Sequence, residues 1–205
     1  MGSRFRIFAA LAALSVVWLP SAPASAEPGS WVEPPAKMPK VAPRDRTRNL
    51  DFLFGALKVA PDEVSAKAIE DRIWALWHVT PSATAGLLMD RVKTAIEQKD
   101  TDLAIKLLDS IVRIKPDYVE AWNRRATIYF TKKDYGRSMA DIRQVLALEP
   151  RHFGAMAGMG FILQEVGSDK QALEVFRRAL EVHPRLQKIP DLVKTLTEKV
   201  EGRAI

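Results

Sequence analysis

The chain has 205 residues, 47% of them hydrophobic, and a formal charge of +6. It contains no cysteine, which excludes disulfides, thiolate metal sites, a cysteine nucleophile and a lipidated N-terminal cysteine. The positive excess is mild and interspersed, the pattern of an ordinary soluble surface, so no nucleic-acid partner is expected.

The first element in chain order is an address. Arg4 and Arg6 precede an apolar run of 13 residues from Ile7 to Leu19; Pro20 ends it, and Ala24 and Ala26 then flank Ser25. Basic, apolar, then small-x-small is the three-part secretory signal, expected to occupy residues 1–26 and to be cleaved after Ala26. A membrane anchor is the rival reading, but a helix of that run is roughly 20 Å long and a hydrocarbon core is about 30 Å thick. No later segment approaches the length of a membrane span, so no transmembrane segment is expected after cleavage. Residues 27–45 hold Pro28, Pro34, Pro35, Pro39 and Pro43. They are expected to form a flexible extended linker, with Trp31 as its one candidate docking anchor.

Residues 46–84 read as helical, with a break at Ala60–Pro61. Their place in the fold depends on the register of the C-terminal part of the chain. There, Pro116, Pro150 and Pro184 are spaced by 34 residues, and each comes after an amphipathic run: Leu103 to Ile114, Met139 to Leu148, Ala172 to Val182. A fixed period of 34 with two helices per unit predicts a helical repeat array. It divides the chain into three units, 85–118, 119–152 and 153–186. Trp122, Ala126, Tyr129, Ile142, Val145 and Pro150 stand at positions 4, 8, 11, 24, 27 and 32 of the second unit. Gly160, Leu163, Ala172, Phe176, Ala179 and Pro184 stand at 8, 11, 20, 24, 27 and 32 of the third. In the first unit Leu88, Ala95, Ala104, Leu108, Ile111 and Pro116 fit the same scheme, while Arg91 and Val92 depart from it.

On these residues the chain resembles the tetratricopeptide-repeat family, over about Asp51 to Arg185. The layout is also similar to small periplasmic proteins of that family from alphaproteobacteria. The resemblance implies an all-α, antiparallel helix-pair, right-handed solenoid of about nine helices. One more step of 34 reaches Asp51 and puts Phe54, Leu57, Trp74 and Trp77 at packing positions, so residues 46–84 are expected to be a degenerate N-terminal capping repeat. Residues 187–205 are expected to hold a C-terminal capping helix and tail. Gly136 and Gly167 are assigned to the turns within pairs.

In this family ligands lie in the concave groove, lined by first-helix positions 2, 5, 9, 12 and 13. Mapped here, the implied partner-binding residues are Met89, Lys93, Ile96 and Glu97, then Asn123, Thr127, Phe130 and Thr131, then Ala157, Phe161, Gln164 and Glu165, with Gly86, Glu120 and Gly154 at position 2. That mixture suits a protein or peptide segment. The alternative is that the last helix folds into the groove and its apolar residues are core. Of the residues that would clamp a peptide carboxylate only Lys93 and Arg124 are basic, so no clamp is expected. Arg91 and Arg125 share position 7; they read as structural arginines bonded to Asp109 or Asp141 rather than as an anion site.

Nothing in the sequence resembles catalytic machinery. His78, His152 and His183 lack metal-ligand spacing, and the nearest approach to an acid–base cluster, His152 with Glu149 and Arg151, lies at a repeat junction where capping or solvation is the commoner role. No enzyme, cofactor or metal is expected. The expected role is a non-catalytic periplasmic scaffold supporting cell-envelope assembly or integrity. The alternative is an accessory subunit regulating an envelope enzyme of peptidoglycan or lipid handling, and weak self-association is a lesser expectation.

Overall fold

A computed structural model describes residues 43–202, with side chains from Asn49 onward. The expected signal peptide and most of the proline-rich linker lie outside the described residues. Within them the protein is an all-α helical repeat solenoid of nine helices: α1 (Pro43–Lys58), α2 (Glu63–Trp77), α3 (Ala83–Glu97), α4 (Thr101–Ile114), α5 (Val119–Thr131), α6 (Tyr135–Leu148), α7 (Phe153–Glu165), α8 (Asp169–Val182) and α9 (Ile189–Glu201). None of these helices is long and apolar enough to cross a membrane.

Local chemistry sets the helix limits. The three pairs α3–α4, α5–α6 and α7–α8 share one turn. Its left-handed residue is Lys99, Lys133 or Gly167, at φ 61°, 59° and 77°. The next amide closes back five residues, from Asp100, Asp134 and Ser168 to the carbonyls of Ala95, Tyr129 and Leu163, satisfying carbonyls that the helix end leaves free. Asp100 and Asp134 then cap the second helix by accepting from Leu103 and Arg137 amides. Gly136, expected in the turn, lies inside α6 instead; the turn spends its left-handed position on Lys133. At the other end of each pair, Lys115, Glu149 and His183 take extended φ of −140°, −136° and −131° because Pro116, Pro150 and Pro184 come next and disfavour α geometry in the preceding residue.

The crossing positions pack as their size requires. Val92, Ala126 and Gly160 at position 8, Ala104, Ser138 and Ala172 at 20, and Ile111, Val145 and Ala179 at 27 are all buried. Ser138 Oγ donates to the Ala126 carbonyl at 2.8 Å, a direct reading of how closely the paired helices approach. A Cβ on Gly160 would collide with Phe176 Cε1. Arg125 ties adjacent pairs together: its Nε and Nη2 bond both oxygens of Asp141 on α6 at 2.8 and 2.7 Å, and Nη1 bonds Asp109 on α4 at 2.6 Å. This is the structural role read from the sequence. Arg91, at the same repeat position, is exposed, so no second buried guanidinium stacks on it.

The first hairpin departs from the expectation. A repeat beginning at Asp51 would turn near residue 65, yet α1 ends at Lys58 and Asp62 caps α2 through the Ser65 amide at 2.7 Å. The hairpin therefore turns several residues early and does not stack in register on α3–α4. It lies along the edge formed by the inter-repeat turns. Leu53, Phe54, Leu57, Ala66, Ile73 and Trp77 make one buried cluster with Phe153, backed by Val182 and Leu186. Arg151 reaches back to Asp51 at 2.6 Å and lies 4.4 Å over the Phe54 ring, and Arg185 donates to the carbonyls of Ala60 and Pro61. At the opposite end α9 packs on α8 through Ile189, Leu192, Val193 and Leu196, in the place the first helix of a further pair would take.

Candidate functional site

The first helices of the second and third pairs, α5 and α7, run side by side, and small residues between them leave a hollow. Ala126, Ser138, Ile142 and Ala155 form its buried floor. Asn123, Thr127 and Phe130 rise on the α5 side, and Gly154, Ala157, Gly158 and Phe161 on the α7 side. The hollow has a volume of about 200 Å³ and is mostly apolar, enough for one large side chain. Phe161 is held against Phe176 edge-on, with ring centroids 5.3 Å apart, and Phe130 tilts on Tyr135 at 5.9 Å. No residue of α9 lines it, so the terminal helix leaves the hollow unfilled.

Of the twelve residues expected to line a groove, Asn123, Thr127, Phe130, Ala157 and Phe161 meet in this pocket. Met89 and Lys93 line a second depression of about 160 Å³ with Arg124, Asp90, Tyr118, His78 and Thr80. The remaining five join neither pocket. Ile96 and Glu97 stand exposed at the end of α3. Thr131 donates to the Ile128 carbonyl, Glu165 accepts from Tyr135 at 3.1 Å, and Gln164 is half-buried nearby. Lys93 and Arg124 share a depression, but Arg124 Nε lies 2.7 Å from Glu120 Oε1, so Arg124 is already engaged by a carboxylate of its own helix.

One wall of the groove comes from outside the repeats. The end of α2 and its connection to α3 run past all three position-2 residues. Trp74 lies over Gly154, where a Cβ would meet its ring at 2.9 Å, and Thr80 Oγ1 would lie 3.2 Å from a Cβ on Gly86. Between them His78 Nε2 donates to Glu120 at 3.1 Å. Burial would raise the Glu120 carboxyl, but the His78 hydrogen bond and the Arg124 charge outweigh it and leave it below the ordinary value. Glu120 is thus an ionised, buried carboxylate that also accepts from Asn123 Nδ2 at 3.2 Å. At the far end Glu70 takes the Trp74 indole N–H at 3.1 Å and faces His183 Nε2 at 3.2 Å. The His183 contact, chiefly, holds its carboxyl below the usual range.

All three histidines of the chain therefore lie in the seam between the hairpin and the repeats. His152 is the most buried in character: it stacks on Trp77 with centroids 4.1 Å apart and caps α7 by accepting the Ala155 amide on Nδ1 at 3.0 Å. Burial pushes its pKa down to about 4. This is the capping role expected at a repeat junction, made in the interior rather than at the surface. Trp74, His78 and Thr80 are groove neighbours that no sequence signal marks, because in a 34-residue register they fall at packing positions or in a turn.

Comparison with known proteins gives three findings. Residues 119–152 match the family described as tetratricopeptide repeat. The chain is 42% identical over 155 residues to a TPR repeat-containing protein of Rhizobium etli, covering 76% of each chain. The fold is similar to the first TPR of Spaghetti (RPAP3) bound to an HSP90 peptide, at TM-score 0.55 and 20% identity over 60% of this chain and 98% of that one. It is similar as well to the TPR2B domain of yeast Sti1 in its pHsp70 complex, at TM-score 0.52 and 18% identity over 58% and 99%. At those identities the likeness to the two solved structures speaks for fold alone.

Proposed function

Because the chain belongs to the tetratricopeptide-repeat family, we propose that it is a non-catalytic scaffold that binds a peptide segment of a protein partner in the groove of α5 and α7. The observation that carries this reading is the pocket between Phe130 and Phe161, built from groove positions of two successive repeats and left open by α9. Its size and apolar floor suit one aromatic or long aliphatic side chain of the partner, the kind of buried anchor that dominates peptide affinity. The similar first TPR of Spaghetti (RPAP3) is bound to a short HSP90 peptide, which supports the same use of the fold here. The histidines are engaged in the hairpin seam, which supports a binding role for the groove.

The proposed location is the periplasm, on the three-part pattern of residues 1–26, and the proposed role is support of cell-envelope assembly or integrity. In-cell photocrosslinking tests the reading, with a photoreactive residue at position 130 or 161 and a control at Gln144 on the exposed face of α6. The expected result is capture of one envelope protein from the two groove positions, with the crosslink mapping to a segment carrying a bulky apolar residue. Capture from Gln144 alone would sink the groove reading.

A further inference from the structure

The geometry points to Glu120 as a positioning residue through which the α1–α2 hairpin sets the polar surface of the groove, so that docking of the hairpin and binding of a ligand are coupled. The inference rests on the proposed groove and goes beyond it, since it makes a segment outside the repeats part of the binding site.

Glu120 is 2% exposed, too enclosed to meet a ligand itself. Its carboxylate has one partner on the hairpin, His78, and two on α5, Arg124 and Asn123. Asn123 lines the apolar pocket, and Arg124 lines the neighbouring depression. A carboxylate only accepts hydrogen bonds, so it must face the Asn123 amide nitrogen. That orients the Asn123 carbonyl oxygen away from Glu120, as an acceptor suited to a backbone N–H of a bound segment. The hairpin reaches the same pocket by a second route: Trp74 lies against Gly154, which is part of the lining. Moving α2 would remove one of the three partners of a buried carboxylate and uncover Gly154 together. A buried charge that loses a partner recruits those it has left, so Asn123 and Arg124 would be drawn toward Glu120 and away from the ligand.

The test uses N-acetyl-L-phenylalaninamide as probe of the pocket, titrated into the full chain while the Asn123 side-chain amide is followed by NMR. His78 lines the depression but not the apolar pocket, and its side chain is 43% exposed. His78→Ala is expected to shift the Asn123 amide signal and to weaken the probe by about fivefold or more. His78→Gln, which restores a donor to Glu120, is expected to recover both. If His78→Ala does not fold, His78→Leu, which keeps the bulk but offers Glu120 no donor, is read in its place, with the same expected shift and weakening. An Asn123 signal and probe affinity unchanged by His78→Ala would overturn the coupling. Phe130→Ala separates the two readings: it should abolish probe binding, and if it does not, the groove reading fails while the Asn123 signal still decides the coupling.

Discussion

Acidification should loosen the hairpin through one side chain, His152. The ring is buried between Trp77, Trp74 and Phe153, and its Nε2 has no protein partner. Of the charged groups around it, Glu120 favours protonation and His78 opposes it, and burial outweighs both, bringing the pKa from an ordinary 6.5 down to about 4. Folding therefore disfavours the charged form. Its contribution is fully present above about pH 6.5 and is lost as the pH falls toward the folded pKa, because the unfolded chain then binds a proton that the folded chain rejects. Linkage with those two values puts the loss at about 2 kcal/mol by pH 5 and about 3 kcal/mol by pH 4. Glu70 and Glu120, both held below the ordinary carboxylate value, lie in the same seam, so the variant His152→Asn serves as reference. Asparagine still caps α7 and does not ionise. Urea unfolding of both proteins, followed by tryptophan fluorescence from pH 7.5 to 4.5, should show the stability gap between them shrinking by about 2 kcal/mol near pH 5. A gap that stays constant within about 0.5 kcal/mol across that range would refute the assignment of acid sensitivity to His152.

Further expectations concern the repeats. Gly160→Ala should destabilise by about 1–2 kcal/mol in denaturant unfolding, since overpacking against the Phe176 ring exceeds the helix-propensity gain; Gly158→Ala, whose Cβ would meet only Ile142 Cδ1 at 3.6 Å, should be neutral or stabilising while it narrows the α5–α7 pocket and weakens the probe. Arg125→Leu should cost about 3 kcal/mol or more because it strands the buried Asp141 carboxylate, whereas Arg91→Leu at the same repeat position should stay within about 0.5 kcal/mol; equal losses by thermal unfolding would argue against the ion-pair account. Lys133→Gly should raise stability by up to about 1 kcal/mol, by relieving a left-handed lysine, and a drop in the melting temperature would contradict that.

The two halves of the chain differ in how much of their structure is legible in the sequence. Pro116, Pro150 and Pro184 mark the pair ends because a proline acts on the residue before it, whatever the tertiary context. Gly160, Ala172 and Ala179 mark the crossings because only small residues admit so close an approach. Both signals are local and recur, so the period of 34 carries the register across three pairs and places Phe130 and Phe161 near each other. The same step carried to Asp51 misplaces the first hairpin. An amphipathic helix offers apolar residues at many registers, and Phe54, Leu57, Trp74 and Trp77 match packing positions without occupying them. The Asp62 cap beside Pro61 is the better guide to where α2 begins.

The sequence by itself determined the helix-pair array, its 34-residue period and the structural duty of Arg125, since each is set by residue type and spacing along the chain. Only the tertiary structure decided which surface the first hairpin covers, that α9 extends the stack and leaves the groove open, and that Trp74, His78 and Thr80 pass Gly154, Glu120 and Gly86. The physical reason is distance in sequence. Glu70 meets His183 across 113 residues and Asp51 meets Arg151 across 100, and no periodicity encodes such pairings. They arise when an amphipathic hairpin buries its aromatic face on the first apolar edge that fits it.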